Sequence, residues 1–256
     1  YVSMQAFRIM LHALRQVFGN FGQALLISAL PLVISFVAMT AAIVAWIWWT
    51  GGMTADAKSG LMMVAWLSLA ATIAWIAVRW HRFILLNERQ GLLSLPRPLP
   101  FLRHAGIGLL VVLILTPPAF AWRAIVRLLG SVGGTFPAIM ADLVLSVLFY
   151  GLAFILATAL PGAAVGAPNP IRTAWRTLNP VGGTIILLAI IQLLVEALID
   201  LVVFLAGLAL YLTLPDDPQF AATMLAVMPG HWLTWLIWVS LLTTLWGHYV
   251  EGRPLR

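Results

Sequence analysis

The sequence predicts an all-α protein, a polytopic transmembrane helical bundle of about six spans with an amino-terminal amphipathic interfacial helix. Three observations carry that prediction. Of 256 residues, 62% are hydrophobic and only 9% are charged, against about 25% charged in globular domains. The mean hydropathy is +1.03, so in water the chain would expose more apolar surface than soluble monomers tolerate, and lipid must be its main solvent. The apolar residues gather in blocks of about twenty or more, where a membrane β-barrel would need alternating runs of about ten.

Residues 1–20 form the interfacial helix, with Phe7, Met10, Leu11, Leu14 and Phe18 on one side and Gln5, Arg8, His12, Arg15 and Gln16 on the other, the pattern of a helix lying on a membrane surface. Residues 21–256 form the membrane domain. Its first span, 21–49, contains Pro31 and is too long for the apolar core of a cleaved signal peptide, so it reads as an uncleaved anchor. Trp46, Trp48 and Trp49 belong at the far interface, where indoles are enriched. A loop with Gly51, Gly52, Asp56, Lys58 and Gly60 leads to the second span, 61–80.

Arg79 to His104 is the longest polar connection, carrying five arginines among Pro96, Pro98 and Pro100. The third span, 105–129, holds Pro117 and Pro118, which should kink or break it. The fourth span is 138–160. The fifth, 184–212, is about 43 Å long and exceeds a bilayer core of about 30 Å, so it should tilt or project. A loop containing Asp216, Asp217 and Pro229 precedes the sixth span, 232–250.

Arginine placement sets the orientation. With the amino terminus cytoplasmic, one side holds Arg8, Arg15, Arg79, Arg82, Arg89, Arg97, Arg103, Arg172, Arg176, Arg253 and Arg256, which is eleven of the fourteen basic residues. The other side holds Lys58, Arg123 and Arg127. Six spans with both termini cytoplasmic therefore satisfy the positive-inside rule, and an odd number would not. The excess of +6 is a topology signal rather than a mark of nucleic-acid binding. In addition, Ala13 to Gly22 resembles Ala174 to Gly183, with Arg15 against Arg176 and Gly22 against Gly183, as if one basic segment entering a long span occurred twice.

Several kinds of chemistry are excluded. There is no cysteine, hence no disulfide, thiolate metal site or cysteine nucleophile. His12, His81, His104, His231 and His248 lack metal-ligand spacing, and no zinc-protease, phosphate-loop or serine-elbow motif occurs. No cofactor is implied. The tryptophan stripe Trp232, Trp235, Trp238 and Trp246 reads as packing or lipid-facing surface.

The candidate site is an intramembrane polar cluster of Arg123, Arg127, Asp142, Gln192, Glu196 and Asp200. Gln192, Glu196 and Asp200 are spaced by four and share one helical face. Acids within a span are costly and should face protein or water with a partner, for which Arg123 and Arg127 are the best placed. A second set, Arg79, Arg82, Arg89, Arg97 and Arg103, reads as a topology signal alone or as a site for anionic lipid headgroups. The expected partners are membrane lipids and other membrane subunits.

The order of basic amphipathic helix, long span, and a second such unit near Ala174 to Gly183 resembles the bacterial inner-membrane proteins of the YciC type. It is similar to the membrane domains fused to some glycerophosphodiester phosphodiesterases, on segments such as Arg79 to Glu88 and Ile171 to Pro180. That resemblance implies an inner-membrane location and a helical fold, and the phosphodiesterase activity does not carry over with it, because the resemblance does not extend to a soluble domain. The function expected is a non-enzymatic scaffold, accessory subunit or interaction partner; the alternative is a transporter or lipid-handling protein using the outer polar cluster.

Overall fold

A backbone in hydrocarbon must satisfy its own hydrogen bonds, and the described segments apolar enough to lie there do so as helices. The structure, a computed structural model, describes residues 2–48, 55–95, 97–213 and 216–255, and the side chains of all of these except 46–47, 55–58, 213 and 216–226. The expected places of Trp46, Trp49, Gly51, Gly52, Asp56, Lys58, Pro96, Asp216, Asp217 and Arg256 concern residues or side chains outside that description. Among the described residues there is no strand, and the helices are α1 (Val2–Gly19), α2 (Phe21–Trp48), α3 (Ala55–Leu86), α4 (Pro98–Gly133), α5 (Thr135–Ala157), α6 (Ala159–Val165), α7 (Pro170–Leu178), α8 (Gly182–Thr213) and α9 (Asp216–Leu245), the last running into a π-helical turn over Trp246–Val250. Five segments of the described residues are long and apolar enough to cross a membrane: Phe21–Ala45, Ser59–Leu86, Pro98–Gly133, Thr135–Val165 and Pro170–Leu212.

Three antiparallel hairpins, α2 with α3, α4 with α5 and α8 with α9, build the bundle. The core lies where α1, α3, α5, α8 and α9 meet, around Trp80, Phe154, Leu188, Ile237 and Leu241. The α4 to α5 hairpin stands at the edge. Its apolar stretch in α4 is only 6% buried.

Several boundaries differ from expectation, each for a packing reason. α1 buries Ala6, Ile9, Met10, Ala13 and Val17 against α8 and α9, while Phe7 and Phe18 are exposed. The small residues let helix axes approach, so the buried face is rotated from the one that hydrophobicity suggests. The polar connection is also shorter than Arg79 to His104. Arg79 to Leu86 complete α3 and Pro98 to His104 begin α4, because the packed helices supply partners that a loop would have left to water.

α4 runs unbroken through Pro117 and Pro118, where Thr116 Oγ1 donates to Val112 O at 2.7 Å. Pro229, expected in a loop, lies inside α9. Beside it Gly230 packs so closely on Val203 of α8 that a Cβ would not fit.

The repeat seen at Arg15 and Arg176 extends into the fold. α8 begins at Gly182, 161 residues after α2 begins at Phe21. Under that same offset buried positions coincide: Ala13 with Ala174, Val17 with Leu178, Ala24 with Ile185, Ile27 with Leu188, Ile76 with Ile237, and Trp80 with Leu241. A short helix followed by a hairpin thus occurs on either side of α4 and α5, as in membrane proteins built from parallel repeats.

Candidate functional site

The face of α8 that carries Gln192, Glu196 and Asp200 meets α5 and α9 at one of its three polar residues. Glu196 Oε2 accepts from Tyr150 Oη at 3.0 Å, and Oε1 accepts from Gln192 Nε2 at 2.9 Å and from the Trp238 indole N–H. Trp238 is stacked on Phe154 with centroids 4.4 Å apart, so the carboxyl group sits against an aromatic wall. Three donors converge on it, one of them from its own helix and one from each neighbour. Chemically this is a closed node, suited to fixing the register of α5, α8 and α9.

The other predicted members are not drawn into that node. Asp142 is exposed and accepts from Trp122 Nε1 at 2.9 Å, tying α4 to α5. Asp200, one turn beyond Glu196, is exposed. Arg123 and Arg127 are exposed on α4, and among the described residues neither forms an ion pair with Asp142, Glu196 or Asp200; the ion pairs found are Arg82 to Glu88, Arg97 to Glu88 and Arg253 to Glu251. The pairing expected from helical depth is thereby corrected: equal depth does not by itself turn side chains toward one another, whether in one hairpin or in two.

The lipid-headgroup set divides in two. Arg79, 1% exposed, donates from Nη1 to Ile27 O at 2.9 Å and from Nη2 to Gly91 O. Arg82 is also buried. It grips Glu88 with two nitrogens and donates from Nη1 to Ala164 O at 2.9 Å. These two arginines staple α2, α6 and the segment after α3 and are not available to headgroups. Arg89, Arg97 and Arg103 remain exposed. Arg82, and to a lesser degree Arg97, holds the Glu88 carboxyl below its ordinary pKa, chiefly through the Arg82 hydrogen bond and against the opposing effect of burial.

Next to Arg82 lies a histidine pair that spacing did not reveal. His81 of α3 and His104 of α4 are both buried, with ring centroids 5.5 Å apart. His104 Nδ1 donates to Leu160 O at 3.2 Å. Thr243 Oγ1 donates to Val239 O at 2.7 Å, leaving its lone pairs for His81 Nδ1 at 2.8 Å. Both imidazoles therefore carry a proton on Nδ1 in this arrangement. No group of three or more metal-ligating side chains occurs among the described residues.

Thr243 also lines a partly open cavity of about 390 Å³ at the end of the bundle, between α1, the end of α3, the π-turn and the carboxy-terminal tail. π-turns insert an extra residue and occur often at functional sites. Here the turn presents Gly247 and His248 to the cavity, and Trp246 packs so tightly on Gly162 of α6 that no side chain would fit there. The sequence signals were Gln16 and the Thr243 and Thr244 pair, polar residues on otherwise apolar helical faces.

Compared with protein families, curated proteins and solved structures, the chain matches none.

Proposed function

We propose that the chain is a six-span protein of a bacterial inner membrane, with both termini in the cytoplasm, that acts without catalysis as a scaffold or accessory subunit holding another membrane protein against α4. The sixth span is 232–250, within α9 and its π-turn, and the eleven basic residues then share one side. The layout resemblance to the YciC type is in keeping with that location.

One observation carries the reading. Arg123 and Arg127 lie one turn apart on a helix with no other charged residue between His104 and Gly133 and little of it buried, with no acid paired to them among the described residues. Each cation costs about 2.5–3.5 kcal/mol at the middle of a span and less toward the interface, and an acidic side chain from a second subunit relieves that cost. The closed state of Glu196 supports the same reading, because a transport site needs an acid that is open to its cargo.

A photoreactive residue placed at Ala124 should crosslink one discrete companion protein in membranes, and one at Val37 on α2 should not. Arg123→Gln with Arg127→Gln should abolish copurification of that companion in mild detergent while leaving the protein monodisperse. Crosslinks to lipid alone at Ala124 would overturn the reading.

A further inference from the structure

The cavity beside the π-turn is independent of how α4 is used, and it contains polar atoms the fold leaves unused. Thr116, Thr158 and Thr243 each donate to the carbonyl four residues back, the usual way a helical threonine is satisfied in a membrane. Thr244 does not. It is 3% exposed, it lines the cavity, and its Oγ1 has no hydrogen-bond partner. In the same lining Gln16 Oε1 is buried and equally unpartnered.

The rest of the lining restricts what fits. Ile84, Leu85, Pro254 and Leu255 make an apolar wall, and no carboxylate is among the lining residues, so a cationic ligand has no counter-charge. Arg253 is the one cation in the lining, and Glu251 Oε2 already neutralises it at 2.6 Å, with Nη2 also donating to Leu85 O at 2.6 Å. The lining also holds His12 and His248, but an anion without a hydroxyl brings no donor for Gln16 Oε1 as the amide is turned here. A hydroxyl group donates and accepts at once. It satisfies Thr244 and Gln16 together, whichever way the Gln16 amide is turned.

The tail forms part of the wall: Arg253 N donates to Gly247 O at 2.8 Å, and His248 Nδ1 donates to Arg253 O at 2.9 Å, which holds the tail where Pro254 and Leu255 line the cavity. The volume, about 390 Å³, falls in the range of small-ligand sites, roughly 300–1,000 Å³.

We propose that this cavity binds a neutral amphiphile with a hydroxylated head, an alcohol or polyol held between Thr244 and Gln16, whose apolar chain lies along Ile84, Leu85 and Leu255.

The test uses the full chain in nanodiscs of zwitterionic lipid, free of sugar detergents, labelled with 1-decanol bearing a diazirine near its hydroxyl. Labelling should concentrate on peptides containing Gln16 or residues 243–255. Unlabelled 1-decanol should compete about tenfold better than decyl phosphate or decyltrimethylammonium. Thr244→Val with Gln16→Leu should reduce labelling about tenfold, the loss expected when two buried hydrogen bonds to the ligand are removed. If that double variant fails to fold, Leu255→Trp, which fills the cavity from the tail, should abolish labelling instead. Labelling spread evenly over α2 and α4, undiminished labelling in either folded variant, or better competition by decyl phosphate would overturn the proposal.

Discussion

The hydroxyl of Tyr150 donates to the carboxyl group of Glu196 at 3.0 Å, joining α5 to α8 inside a segment that has almost no other polar side chains. Because the Trp238 indole and the Gln192 amide converge on the same carboxyl group, Glu196 serves as an acceptor for three elements of structure. Within a bilayer such a bond is worth only about 0.6 kcal/mol on average, while stranding several donors at once costs more.

Tyr150→Phe is therefore expected to lower stability by about 0.5–1.5 kcal/mol, and Glu196→Leu by clearly more, because three donors lose their acceptor. Asp200→Asn, at an exposed position, should stay within about 0.5 kcal/mol. Thermal unfolding in mild detergent, read as the fraction remaining monodisperse, ranks the three. Equal effects at positions 196 and 200 would refute the node.

Glu88 makes the stability of the segment after α3 depend on pH. Its carboxyl titrates lower in the fold than in the unfolded chain, chiefly because Arg82 donates to it. The ionised form therefore stabilises the fold at any pH above the ordinary carboxylate range, about 4.3, and that contribution is lost as pH falls through the lowered value. The stability difference between the wild type and Glu88→Gln should be full at neutral pH and shrink on acidification below the ordinary carboxylate range. A difference that widened in acid would contradict the assignment.

Gly162 is under Trp246 in a space that holds no side chain. Gly162→Ala should cost about 1–3 kcal/mol through overpacking, and Trp246→Leu in the same protein should recover part of that loss. Non-additivity of this pair in a double-mutant cycle checks the contact; strict additivity would deny it.

Much of the plan was legible in the residues. The apolar blocks at 21–49, 105–129, 138–160 and 184–212 each coincide with a segment able to cross a membrane, because twenty consecutive apolar residues have few alternatives to a helix in lipid. The similarity of Arg15 and Arg176 pointed to a repeat that buried positions then extended through two hairpins. Helix ends were less legible. α3 reaches Leu86 and α9 contains Pro229, since a neighbour's carbonyl or a snug Gly230 can carry a helix past residues that look like breakers.

The sequence by itself determined the solvent of this protein and the rods it folds into, because hydrophobicity and backbone hydrogen bonding act locally and need no knowledge of neighbours. Only the tertiary structure decided which polar groups meet. It left Arg123 and Arg127 outside, put Arg79 and Arg82 inside, closed Glu196 with Tyr150 and Trp238, and put Thr244 and Gln16 in the lining of one cavity. Those meetings depend on the rotation of each helix about its axis, which small residues such as Ala6, Ala13 and Gly162 set through close packing and which periodicity along one chain segment does not encode.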